Sequence, residues 1–99
     1  MIKHIVFWNL SATDATAREQ AAAEIVDAFD GLENRIPELL SISIDRNVVK
    51  SDSNADLALV SEFESLEALD TYLKHPEHEA AATISRARVS KRYVIDYEF

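Results

Sequence analysis

The chain has 99 residues, 47% of them apolar and 28% charged, which suits a single folded domain over residues 1–99 with one modest core. Eighteen acidic residues against ten basic ones leave a net charge of −8, which disfavours general binding to nucleic-acid backbones or anionic membranes; the absence of cysteine excludes disulfides and thiolate metal sites. No apolar run approaches the ~18 residues of a membrane span, and the opening MIKHIVFWNL is followed by no small-residue cleavage site, so a cytoplasmic protein is expected.

Residues 2–10, IKHIVFWNL, are β-branched and aromatic and predict a strand with two apolar faces. One face carries Ile2, His4, Val6, Trp8 and Leu10; the other carries Lys3, Ile5, Phe7 and Asn9. Residues 11–39 predict a long helix with Thr13 or Asp14 as N-cap and an apolar stripe of Ala21, Ile25, Phe29, Leu32 and Ile36. Gly31 costs about 1 kcal/mol relative to alanine within a helix and is expected to loosen the last turn, and Pro37 ends it.

Residues 40–49 alternate, with Leu40, Ile42 and Ile44 on one side and Ser41, Ser43 and Asp45 on the other, as in a strand with one exposed face. A polar turn spans 50–56. Residues 57–63, LALVSEF, predict a strand apolar on both faces. Ser65 caps a short helix whose inner face is Leu66, Leu69, Tyr72 and Leu73, Pro76 interrupts it, and a second helical piece covers 77–88. The last strand, 89–99, places Val89, Tyr93, Ile95, Tyr97 and Phe99 on one parity and only Val94 among apolar residues on the other.

This order, β-α-β-β-α-β, is that of the ferredoxin-like split βαβ arrangement, an α+β fold with both helices on one face of an antiparallel four-stranded sheet. The second face would then expose Ile5, Phe7, Ala58 and Val60. An apolar patch of that kind calls for a cover, and a second copy of the chain, packed sheet to sheet about a two-fold axis, supplies it. The basic cluster Arg86, Arg88, Lys91 and Arg92 reads as a solvated or partner-facing patch rather than an anion site.

The opening IKHIVFW, the break at Ile36–Pro37, SEFES at 61–65 and YLKHPEH at 72–78 together resemble the stress-responsive dimeric A/B barrel (Dabb) family across nearly the whole chain. The resemblance implies a ferredoxin-like subunit and a dimer whose two sheets form a barrel. Most members have no assigned activity. A plant member closes a linear polyketide by aldol condensation without a cofactor. Carried over, its catalytic tyrosine and histidine fall on Tyr72 and His78, and its first-strand histidine on His4. This chain departs from it at Leu57, where that enzyme has histidine, and near Phe29, where it has tyrosine.

The residue chemistry accommodates those roles. His78 can serve as general base, and Tyr72 can donate to a developing oxyanion. His4, on an apolar strand face, is either a core histidine bonded to an acceptor or the floor of a pocket; Trp8 is either pocket wall or core. His75, before Pro76, suits a helix C-terminus as a cation. A metal on His75, His78 and neighbouring glutamates is disfavoured because Pro76 breaks the helix that would align them, and a single glycine leaves no phosphate loop.

The resulting expectation is a homodimer, without cofactor, that binds a small hydrophobic or aromatic molecule between sheet and helices. His4, Val6, Trp8, Ile25, Phe29, Leu57 and Leu59 are the expected ligand contacts, with Tyr72 and His78 carrying cyclase-, isomerase- or lyase-like acid/base chemistry. The alternatives are a non-enzymatic stress-responsive structural or binding protein, and a monooxygenase-like barrel that needs no cofactor. A cavity of ~300 Å³ or more reached by both Tyr72 and His78 favours the first, and filled space favours a structural role.

Overall fold

The β-branched and aromatic opening segment builds the first strand, β1 (Ile2–Leu10), in the computed structural model, which describes residues 1–99. Helix α1 (Ala15–Phe29) follows, then a 3-10 turn (Leu32–Asn34), β2 (Ser41–Arg46), β3 (Leu57–Phe63), α2 (Leu66–Lys74), α3 (Pro76–Arg86) and β4 (Val89–Glu98). The strands form one sheet in the order β2-β3-β1-β4, every neighbouring pair antiparallel. This is the ferredoxin-like α+β topology.

The long helix expected over 11–39 stops at Phe29. Asp14 caps its start, accepting the Ala17 amide hydrogen at 2.9 Å. Asp30 then turns to extended backbone, and Gly31 takes φ +74°, a left-handed conformation that glycine adopts without a Cβ clash. Leu32 and Ile36 still reach the core, but through the 3-10 turn rather than along a continuous helical stripe. The second strand is also shorter than 40–49: its ladder ends at Arg46, and Val48 and Val49 are exposed in the loop beyond. Leu66, expected on the inner face of α2, is the first residue of that helix and is 65% exposed; Leu69 and Tyr72 are its buried residues.

Register assigns each strand residue to a face. Ile2, His4, Val6, Trp8 and Leu10 of β1 and Leu57, Leu59, Ser61 and Phe63 of β3 are buried beneath the helices. Val6 pairs with Val94, His4 with Asp96 and Trp8 with Arg92, so those three β4 residues share the helix side. On the other side lie Ile5 opposite Ile95 and Val60, and Phe7 opposite Tyr93 and Ala58. That face is apolar and uncovered in a single subunit, with Phe7, Tyr93, Ile95 and Tyr97 all exposed. Val89 does not share their parity. A register shift opposite Asn9 and Leu10 turns it toward the core.

Asp56 fastens the end of β1 to α1. Its carboxylate accepts from the Leu10 amide at 2.8 Å and from the Arg18 guanidinium at 2.5 Å. No helix is long and apolar enough to cross a membrane.

Candidate functional site

The break between α2 and α3 sets the geometry of the site. In a continuous helix the Leu73 carbonyl would accept from the amide of residue 77, and Pro76 has no amide hydrogen to offer Tyr72. Here the Glu77 amide donates instead to His75 Nδ1 at 3.1 Å, so His75 caps the start of α3 while its own amide bonds the Tyr72 carbonyl. This role needs a free lone pair on Nδ1, so His75 is an acceptor cap and not the C-terminal cation expected from its position. The Leu73 carbonyl, freed by the break, accepts from His78 Nδ1 at 3.0 Å. That bond fixes the His78 tautomer: Nδ1 carries the proton and Nε2 keeps its lone pair.

Burial holds His78 below the ordinary imidazole value of 6.5, reinforced by His4 and Arg86 and opposed by the Leu73 carbonyl and Glu79. The ring is therefore neutral at pH 7. Its centroid lies 4.5 Å from that of Tyr72, whose other neighbour is Phe63 at 5.0 Å. Burial pushes the Tyr72 phenol well up from 10, so it stays protonated and able to donate. The aromatic contacts continue from Phe63 to His4 at 6.5 Å, from His78 to Phe29 at 6.3 Å and from Phe29 to Trp8 at 5.6 Å. His4 and Trp8 flank Val6 on one face of β1, so the rings make an almost closed belt.

Inside the belt is a cavity of about 220 Å³, lined by His4, Val6, Trp8, Phe29, Leu59, Tyr72, His78, Ala82, Ser85, Arg86 and Arg92. It is smaller than the ~300 Å³ anticipated from sequence and suits a compact molecule rather than a long chain. Tyr72 and His78 both reach it, together with His4, Val6, Trp8, Phe29 and Leu59.

Ile25 and Leu57, also expected as ligand contacts, do not line it; both are fully packed core. Phe29, one turn further along α1, takes the place assigned to Ile25, and the broad indole of Trp8 stands at the register position beside Leu57.

His4 donates from Nδ1 to Asp96 Oδ1 at 2.5 Å, which satisfies a buried imidazole and turns its other nitrogen away from the carboxylate. The Trp8 Nε1 hydrogen is buried and finds no acceptor within the chain. No group of three or more His, Asp or Glu side chains converges to hold a metal ion.

Sequence reasoning missed Asp96 and four lining residues. The α3 residues Ala82, Ser85 and Arg86 follow His78 at steps of four, three and one, a single helical face. Arg92 and Asp96 alternate with Val94 on the helix side of β4. Both periodicities are visible in the sequence, but only the register says which face holds a cavity. The basic cluster divides accordingly: Arg88 binds Glu24 with both a 3.2 Å and a 3.3 Å bond, while Arg86 and Arg92 border the cavity.

A four-stranded antiparallel sheet, helices on one face only and an aromatic-belted cavity between the layers define a ferredoxin-like barrel subunit. The chain belongs to the stress-responsive A/B barrel domain (Dabb) family, whose model matches residues 2–99. It is 30% identical over 100 residues to the uncharacterised protein SCO4036 of Streptomyces coelicolor, covering all of both chains. A dimeric protein of unknown function and ferredoxin-like fold from Bacteroides fragilis is similar at a TM-score of 0.87 and 29% identity, over 99% of this chain and 95% of that one. The Arabidopsis thaliana protein At3g17210 is similar at a TM-score of 0.82 and 27% identity, over 100% and 95% of the two chains.

Proposed function

We propose that the chain works as a homodimer, joined through its open sheet faces, in which each cavity binds a small carbonyl compound and His78 removes a proton next to the carbonyl without a cofactor. The observation that carries this reading is the His78 tautomer. An imidazole held neutral by burial, with Nδ1 committed to the Leu73 carbonyl, leaves Nε2 as the basic atom beside a protonated phenol. The proton passes from the substrate carbon to Nε2. The electron pair of the broken C–H bond forms the carbon–carbon double bond of an enolate, the carbonyl π pair moves onto oxygen, and the Tyr72 hydroxyl donates to the oxyanion that forms. Return of the proton from His78 to the same carbon gives exchange, and to another carbon an isomerisation; attack of the enolate carbon on a second carbonyl gives an aldol adduct whose new alkoxide takes the proton from His78.

The apolar open face supports assembly, as does the dimeric description of the similar Bacteroides fragilis protein.

The test is deuterium exchange at the methyl group of acetophenone, followed by proton NMR in deuterated buffer. Exchange above the buffer rate is expected for the wild type and background exchange for His78→Ala, with far-UV circular dichroism unchanged. Equal exchange in both proteins rejects His78 as the base. Binding of acetophenone without exchange assigns the cavity to the non-enzymatic binding alternative.

A further inference from the structure

The chain has six arginines amid eighteen carboxylate side chains, so a paired guanidinium is the ordinary outcome. Four follow that rule. Arg18 binds Asp56, Arg46 binds Glu19, Arg88 binds Glu24, and Arg35 bonds the Asp30 carbonyl and lies 3.4 Å from Glu77. The remaining two, Arg86 and Arg92, donate no hydrogen bond to any group of the chain. Arg86 has only Glu79 at 4.0 Å, beyond hydrogen-bond distance.

These two also come from separate elements, the last turn of α3 and the start of β4, and both line the same cavity. The nearest carboxylate on the helix side of β4, Asp96, is four residues from Arg92, ~13 Å along an extended strand, and is engaged by His4.

We infer that Arg86 and Arg92 form an anion-recognition end of the cavity, and that its ligand is a small oxo acid whose carboxylate meets these guanidinium groups while its carbonyl end lies toward Tyr72 and His78. The inference rests on the cavity-binding reading above and narrows it to a substrate class. Guanidinium donors match a carboxylate in charge and in planar geometry, and both stand at the solvent-exposed rim of the cavity, where an entering anion meets them first. An anchored carboxylate also solves an orientation problem, because a compact carbonyl compound in an apolar belt has little else to fix which carbon faces His78. The surrounding charge of −8 repels organic acids in general, so two cations without a hydrogen-bonded partner mark the cavity as the exception.

The experiment compares two acids, levulinate and benzoate, with their neutral methyl esters. Dissociation constants come from NMR titration of the wild-type protein and of the variants Arg92→Gln and Arg86→Gln/Arg92→Gln. In the wild type each acid is expected to bind at least about tenfold more tightly than its ester, as a charge-assisted bond allows. The double variant should lose that preference while holding the esters as before.

A wild-type ratio near one, or a ratio the double variant leaves unchanged, overturns the anion site, and ester binding then shows that the cavity reading survives. If neither acids nor esters shift the signals of cavity residues, both readings fall together. Arg92 is exposed and bonded to nothing, so Arg92→Gln leaves no partner stranded and carries the test even if the double variant folds poorly. For that single variant a several-fold loss of acid preference is expected, and no loss counts against the site.

Discussion

Tyr72 allows packing and chemistry to be separated by one oxygen atom. The residue is 1% exposed, wedged between Phe63 and His78; it lines the cavity, and its hydroxyl bonds no group of the chain. Tyr72→Phe keeps the ring and deletes only the hydroxyl, so no hydrogen bond within the fold is broken. Removing a polar atom that pays desolvation without a partner in the fold should change stability by no more than about 1 kcal/mol, in the stabilising direction. Tyr72→Ala is the contrast. It empties a ring-sized space in the core and should cost about 3–5 kcal/mol, a large part of the 5–15 kcal/mol typical of a domain.

Urea unfolding at fixed protomer concentration measures both, and an unchanged slope for Tyr72→Phe shows that the folded state is intact. In the acetophenone exchange assay the same Tyr72→Phe protein should lose about 10²–10³-fold, the usual cost of an oxyanion donor. A stability loss above about 2 kcal/mol would reveal a hydroxyl bond that the geometry does not contain. Exchange at the wild-type rate would remove Tyr72 from the proposed chemistry.

Acid sensitivity reports on His78. Its folded value lies below 6.5, so between that value and 6.5 the unfolded chain binds more protons than the folded one. The contribution is complete above pH 6.5 and is lost as pH falls through the folded value. His78→Gln should therefore lose less stability than the wild type on acidification, measured by urea midpoints from pH 7.5 to 4.5; parallel curves would refute the assignment. The open face is tested by Ile95→Lys, a residue half exposed in the single subunit and opposite Ile5 in the sheet. Sedimentation equilibrium at micromolar concentration should show dimer for the wild type and a shift to monomer for the variant, whereas an unchanged dimer would place the interface elsewhere.

The sequence carried the topology because its signals were local and redundant. β-Branched and aromatic runs at 2–10 and 57–63, alternation in the segment from 40, a cap at Thr13 or Asp14, a Ser65 cap and a proline between two helical runs all pointed to the same order of elements. The end of α1 was not legible in the same way. The spacing of Leu32 and Ile36 continues the helical period, and only the left-handed backbone at Gly31 shows that a 3-10 turn delivers them to the core instead.

Tyr72, His78 and His4, singled out by the family resemblance and by side-chain chemistry, all line the cavity. Arg86, Arg92 and Asp96 were not legible, because charged residues on a helix end and an edge strand look like solvated surface until the fold brings Arg86 to the cavity and register sets Arg92 and Asp96 opposite Trp8 and His4. Ile25 and Leu57 failed for the opposite reason: correct burial is no guide to which buried side chain borders empty space.

Strand β1 is flanked on both sides by other strands and has work on both of its faces. His4, Val6 and Trp8 line the cavity, while Ile5 and Phe7, the residues between them, floor the apolar face. Such a segment has no idle position at which mutations can accumulate neutrally, and a one-residue deletion within it would exchange the two sets of side chains wholesale. Drift is freer in the exposed loop from 48 to 54, so descendants of this chain should diversify there and stay nearly fixed along the opening strand.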